Sequence, residues 1–222
     1  MSEFPKDIFT EPEDVDPDTL SNLGPLRALA GIWEGAKGMD VNPKAAGPER
    51  QAFVERFELQ PIDPQLNGPQ LLYGLHYVTR IVKPGEVETY HHQTGYWLWE
   101  PATGTIIQTL AIPRAQVALA VGQAAPDATS FEVRATRGQV TFGICSSPFL
   151  EHAFRTDSYR IDIEFQGDDA WSYDIRTTLT VHGRPEPFEH HDQNVLRRVA
   201  AAGANPLMKI MARRAKASAS QA

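Results

Sequence analysis

Seven histidines are this chain's most versatile side chains for metal or proton chemistry near neutral pH. Four form adjacent pairs, His91-His92 in "TYHHQTGYW" and His190-His191 in "EPFEHHDQNVLRR". Neighbouring residues of a strand point to opposite faces, so if the first segment is a strand, one imidazole of that pair must look inward. The second pair reads as a loop at the mouth of a short terminal helix, with Asp192 as the cap that holds the preceding histidine at a fixed point. Glu186 or Glu189 is placed to accept a hydrogen bond from the second nitrogen of a ligating ring. The plainer alternative stays open: both rings are solvated loop residues whose charge complements those two acids. His76, His152 and His182 occur singly and read as hydrogen-bonded strand packing.

Several chemistries lack their residues. A structural zinc site wants pairs separated by a turn, usually with thiolates, and no H-E-x-x-H occurs for a zinc hydrolase. No G-x-S-x-G elbow is present for a serine nucleophile. The glycines of "GIWEGAKG" are followed by no Lys-Ser or Lys-Thr pair that would cradle phosphate. Cys145, the only cysteine, can form no internal disulfide and reads as inert packing rather than a soft ligand. What remains is a single axial histidine on haem iron, a metal chemistry that needs one protein ligand because the porphyrin supplies four.

The elements that must position such a histidine are mostly strands. In "YRIDIEF", Tyr159, Ile161, Ile163 and Phe165 alternate with charged residues; "QGDDA" then turns the chain, and "WSYDIRTTLTV" alternates again, which predicts a hairpin. Similar patterns occur at about 51–59, 71–82, 87–99, 105–111, 116–121, 130–135 and 139–144, and a further strand begins near Trp33. About ten strands with no long helix between them predict an all-β fold, an antiparallel up-and-down barrel that leaves no exposed edge. Its inward candidates are Leu71, Tyr73, Leu75, Ile107, Val117, Leu119, Phe131 and Phe142. Such a lining suits one flat or elongated apolar ligand, or else a solid core.

The rest of the chain frames that barrel. Residues 1–21 are acidic and read as a flexible arm, and "NLGPLRALAG" reads as a short helical plug with Pro25 in its first turn and Gly31 as its stop. The barrel is expected over 22–200. A helical tail over 201–222 follows, with Asn205 as cap, Pro206 in the first turn and Leu207, Ile210 and Met211 on one stripe. The net charge of −7 argues against nucleic acid as a partner. The acidic start has no secretory pattern, and no window approaches the ~18 apolar residues of a membrane span. A cytoplasmic protein is the expectation.

Three stretches carry a resemblance. "LAGIWEGAKG", with Gly31, Trp33 and Gly35, resembles the first strand of the nitrobindin family, a group of lipocalin-like or fatty-acid-binding-protein-like barrels. "HHQTGYWLWEPATGTI" resembles that family's central strand, with His91 four residues before Gly95. "TTLTVHGRPEPFEHHDQNVLRRV" resembles the last strand and the segment bearing the family's iron-binding histidine. The resemblance covers roughly residues 22–200. It implies ferric haem b held by His191, or by His190 after a slip of one residue, with His91 as a lining residue and Trp33 at the barrel floor. With haem bound it implies nitric oxide binding and peroxynitrite isomerase activity. The segment "AKGMDVNPKAAGPE" departs from the family and is expected as an inserted loop.

Three functional readings follow: a haem-binding barrel, a metal-free carrier or sensor of a fatty-acid-like molecule, and a scaffold that docks through its acidic arm and basic tail. The expected partners are haem or an apolar small molecule, with a homodimer as a possible assembly.

Overall fold

The structure, a computed structural model, describes residues 4–220, so the first three residues of the expected arm and the last two of the tail lie outside it. Two 3-10 turns, Thr19–Ser21 and Gly24–Leu29, lead into twelve strands. These are β1 (Gly31–Lys44), β2 (Gly47–Pro61), β3 (Gln65–Asn67), β4 (Gln70–Val82), β5 (Thr89–Glu100) and β6 (Thr105–Ile112). They continue with β7 (Gln116–Gln123), β8 (Ser130–Thr136), β9 (Ile144–Ser146), β10 (Phe154–Phe165), β11 (Ala170–Val181) and β12 (Phe188–Ala201). A short helix, α1 (Pro148–Ala153), precedes β10, and α2 (Pro206–Ala219) ends the described chain.

Ten strands close into one antiparallel ring. Each long strand pairs with the next in the chain, β2 passes over β3 to β4, β8 passes over β9 to β10, and β12 returns to β1. The three-residue β3 and β9 lie outside the ring, on β4 and β7. The barrel is therefore up-and-down, as the alternating pattern predicts. The expected hairpin is β10–β11, with Ile161 opposite Ile175 and Ile163 opposite Tyr173.

One end of the barrel is solid. Trp33, Trp97, Trp99 and Trp171 are all at most 2% exposed, and Leu23, Leu26 and Leu29 of the plug are fully buried in the same core. Burying each indole contributes about 4–6 kcal/mol of gross hydrophobic stabilisation, before the entropy that opposes it. The plug depends on Gly24: its φ is +53°, and a Cβ there would stand 2.5 Å from the Trp99 indole.

The structure corrects several details. The segment 36–49 is no inserted loop: β1 runs through it with a bulge between Gly35 and Gly38, then turns at Ala45-Ala46 into β2. The stretch 139–144 is not a strand of the ring, and the tenth strand is β12, where a loop and helix were expected. Asp192 consequently caps no helix. In β6 and β7 the inward residues are Ile106, Gln108, Leu110, Ala118 and Ala120, whereas Val117 is 49% exposed on the outer face. Small residues face inward on β7 because the indoles and phenyl rings of neighbouring strands already fill that space, with Trp97 and Phe131 packed 5.7 Å apart. Tyr73, Leu75 and Phe131 are inward and buried as expected.

Candidate functional site

The opposite end of the barrel is open and polar. Inward-facing side chains near the tryptophan layer are buried, whereas toward the far rim His91, Gln93, Tyr159, Ile175, His190 and Asp192 are only partly buried and Asp40, Leu179 and Val181 remain buried. The barrel is thus a cup, floored by indoles and lined toward its mouth by hydrogen-bonding groups.

Strand parity decides which histidines line it. On β12, Asn194 and Leu196 are buried in the interior, so Asp192 and His190 face inward with them. His191 faces outward. Its Nε2 meets Asp174 Oδ2 at 2.7 Å, on the same outer wall where Asp174 also accepts from Arg176. On β5 the inward phase runs through Trp99, Trp97, Gly95 and Gln93 to His91, leaving His92 outside and exposed. His190 and His91 therefore share the open end. Trp33 stands at the opposite end, where its Nε1 donates to Leu29 O at 2.8 Å and the Arg198 guanidinium lies 4.1 Å over its ring.

His190 is held across the seam where the barrel closes. Its Nε2 lies 2.8 Å from Asp40 Oδ1 on β1 and 3.5 Å from Asp192 Oδ2. Asp40 is only 3% exposed and is fixed further by Tyr90 Oη, which donates to Oδ2 at 2.5 Å, and by Asn42 Nδ2 at 2.9 Å. Burial alone would raise the Asp40 pKa, but hydrogen bonds from His190 and Tyr90 outweigh it and keep the carboxyl below its ordinary range. For His190 the balance runs the other way. Burial opposes the charged ring, yet the hydrogen bond to Asp40 and the charges of Asp192 and Asp40 raise its pKa. Asp192, enclosed and beside another carboxylate, is raised to about 7, with burial the largest cause.

His91 is different. Burial first, then the adjacent Arg114 guanidinium, lower its pKa to about 4, so it is neutral at physiological pH. Arg114 Nη2 lies 3.3 Å from its Nδ1. A neutral imidazole at the mouth of a cavity can donate one hydrogen bond to a bound group without adding charge.

Below this layer, Glu55 of β2 is 2% exposed and accepts from Tyr173 Oη at 2.8 Å, Thr79 Oγ1 at 2.8 Å and Asn194 Nδ2 at 3.2 Å. No cation pairs with it among the described residues, and burial raises its pKa. Gly35 makes room for this arrangement, since a Cβ there would stand 2.4 Å from the Asn194 amide nitrogen.

A concavity of about 1070 Å³ lies elsewhere. It lies on the outer wall among Glu34, Glu132, Asp162, Asp174 and Arg197, several of which already pair with neighbouring side chains.

Asp40, Tyr90, Glu55 and Arg114 were not candidates from sequence. Glu55 had a usable signal: in "FVERFEL" it occupies the same phase as Phe53, Phe57 and Leu59, so a carboxylate must face the core. Asp40 was hidden in the segment expected as a loop.

The family described as "THAP4-like, heme-binding beta-barrel domain" matches residues 22–198. The solved structure of Rv2717c from M. tuberculosis is similar to this chain, with a TM-score of 0.56 at 21% identity over 83% of this chain and 99% of that one. At that identity the likeness concerns the fold. No curated protein gave a significant match.

Proposed function

This chain belongs to the THAP4-like, heme-binding β-barrel domain family, and from that premise we propose that residues 22–200 hold ferric haem b at the open end, with His190 as the protein's iron ligand. The observation that carries the reading is the position of His190: it is the C-terminal histidine that faces the cup, and Asp40 holds one of its ring nitrogens at 2.8 Å. A ligating imidazole needs such a partner on its far side to fix the ring. The donor set fits the group, because Nδ1 of His190 has no hydrogen-bond partner among the described residues. His191 fits less well, since its ring is on the outer wall with Asp174.

Ferric haem bound there supplies a cationic iron that takes nitric oxide and acts on peroxynitrite, the chemistry we propose for this chain. The residues of the cup have separable tasks. Asp40 orients His190 through a contact that Tyr90 and Asn42 hold in place. His91, neutral and partly exposed, offers a hydrogen bond to a small bound anion. The tryptophan floor closes the far end to water.

Titration with haemin tests the reading. A saturable Soret band at one haem per chain is expected. Displacement of an environment-sensitive fluorophore by fatty acids, with no Soret band, would replace it with the carrier.

A further inference from the structure

We propose that α2 docks this protein on an anionic lipid surface, with its apolar side entering the interface and its lysines and arginines meeting the negative headgroups. The proposal does not depend on the haem reading, because α2 leaves the closed end of the barrel, opposite the candidate site.

The helix is held at its start and free beyond it. Asn205 is fully buried: its Nδ2 donates to Asp63 Oδ1 at 2.7 Å and to Pro17 O at 3.0 Å, and its Oδ1 accepts from Thr19 N at 3.3 Å. Asp63 Oδ1 also accepts from Leu207 N at 2.8 Å, in the first turn, where a carboxylate complements the helix dipole. Past this anchor no residue of α2 is buried, and every residue from Lys209 to Ser220 is exposed. Packing on the barrel therefore does not explain which residues the helix carries.

Those residues sort onto two sides. At a helical spacing of about 100° per residue, Leu207, Ile210 and Met211 lie together, while Lys209, Arg213 and Lys216 lie opposite them. The three apolar side chains are 38%, 47% and 47% exposed. Arg214 is a fourth cation, and residues 193–222 contain no acid. Among the described residues none of the four cations forms a salt bridge, so the acidic arm, although tied to the same anchor through Pro17, does not neutralise them. The surface that complements this helix is negative and apolar at once.

A lipid interface meets both demands. Nucleic acid would leave the apolar side unmatched, and the chain's net charge of −7 opposes it. A protein groove takes apolar anchors at i, i+3, i+4 and i+7. Seven residues after Leu207 stands Arg214, so the apolar ladder ends after one turn. At a lipid surface that arginine keeps its stem in the interface and its head among the headgroups. No described helix is long and apolar enough to cross a bilayer, which confines α2 to the surface.

The test is sedimentation of the full chain with phosphatidylcholine vesicles, with and without phosphatidylserine. Two variants accompany the wild type, Lys209→Glu/Arg213→Glu/Lys216→Glu and Ile210→Asn/Met211→Asn, all at exposed positions and checked for folding by melting. The wild type is expected to bind the phosphatidylserine vesicles, to release them as salt rises and to stay off pure phosphatidylcholine. The charge reversal should lower binding on the order of tenfold or more, and the apolar replacement several-fold. The proposal is overturned by a wild type that ignores phosphatidylserine or binds both vesicles equally. It is equally overturned by binding that survives the charge reversal, or by binding indifferent to Ile210→Asn/Met211→Asn, which would be bare charge attraction without insertion.

Discussion

His190 Nε2 and Asp40 Oδ1 meet at 2.8 Å across the β12–β1 seam, joining residues 150 positions apart. That seam is the one that closes the ring, so the candidate site comes into being only when the barrel does. The register makes the contact possible: Asp40 lies opposite Asp192, and Val41 opposite His191. The two inward residues of one strand are thereby set beside an inward residue of the other. A slip of one residue in β12 would exchange His190 for His191 in the interior and send Asp192 to solvent.

Trp33 belongs to the floor. Replacing it with alanine removes a side chain that is 1% exposed, its hydrogen bond to Leu29 O and its edge contact with Trp171 at 6.1 Å. Chemical denaturation should show a loss of about 3–5 kcal/mol. The haemin affinity of the folded fraction should stay within a few-fold of the wild type. A large loss of affinity without loss of stability would place Trp33 in the ligand site instead.

The inward phase of β7 can be checked by size. Ala120 is fully buried, so Ala120→Leu should overpack the core and cost about 1–3 kcal/mol. Val117 is half exposed, and Val117→Ser should change stability by less than about 0.5 kcal/mol. The reverse ranking would mean that the strand presents its other face to the interior.

Glu55 gives a pH dependence of definite sign. Burial raises its folded pKa above the unfolded value, so the folded state binds this proton more tightly than the unfolded chain does. Its contribution to stability is complete below the ordinary glutamate range and is lost as pH rises toward the folded value. Glu55→Gln cannot titrate. Denaturant unfolding of both proteins across the acidic to neutral range should show the wild type losing stability relative to the variant as pH rises. A relative gain would mean that the three donors around the carboxylate outweigh its desolvation.

What the sequence disclosed follows from where polar residues sit. The β10–β11 hairpin was legible because its inward residues are apolar and its outward ones charged, so hydrophobicity tracked the strand period. In β12 the inward residues are His190, Asp192, Asn194 and Leu196, while Val195 and Val199 face out. That inversion erased the strand signal, and the segment read as a loop and helix. The same polarity hid Asp40 and Asn42 in β1. On β7 the smaller residues Ala118 and Ala120 are inside, so hydrophobicity points to Val117 and Leu119, which face the other way. Both histidines of the second pair were visible as candidates, but choosing between them required the strand parity that their polar neighbours concealed. The stretches that line the polar end were thus the hardest to read, because their inward residues are not apolar.

His190 is the proposed iron ligand, and haemin titrations of His190→Ala and His191→Ala side by side test that role, with melting curves to confirm that both variants fold. The predicted result is loss of the wild-type Soret band in His190→Ala and its retention in His191→Ala. A wild-type spectrum in folded His190→Ala, or its loss in His191→Ala alone, would contradict the assignment.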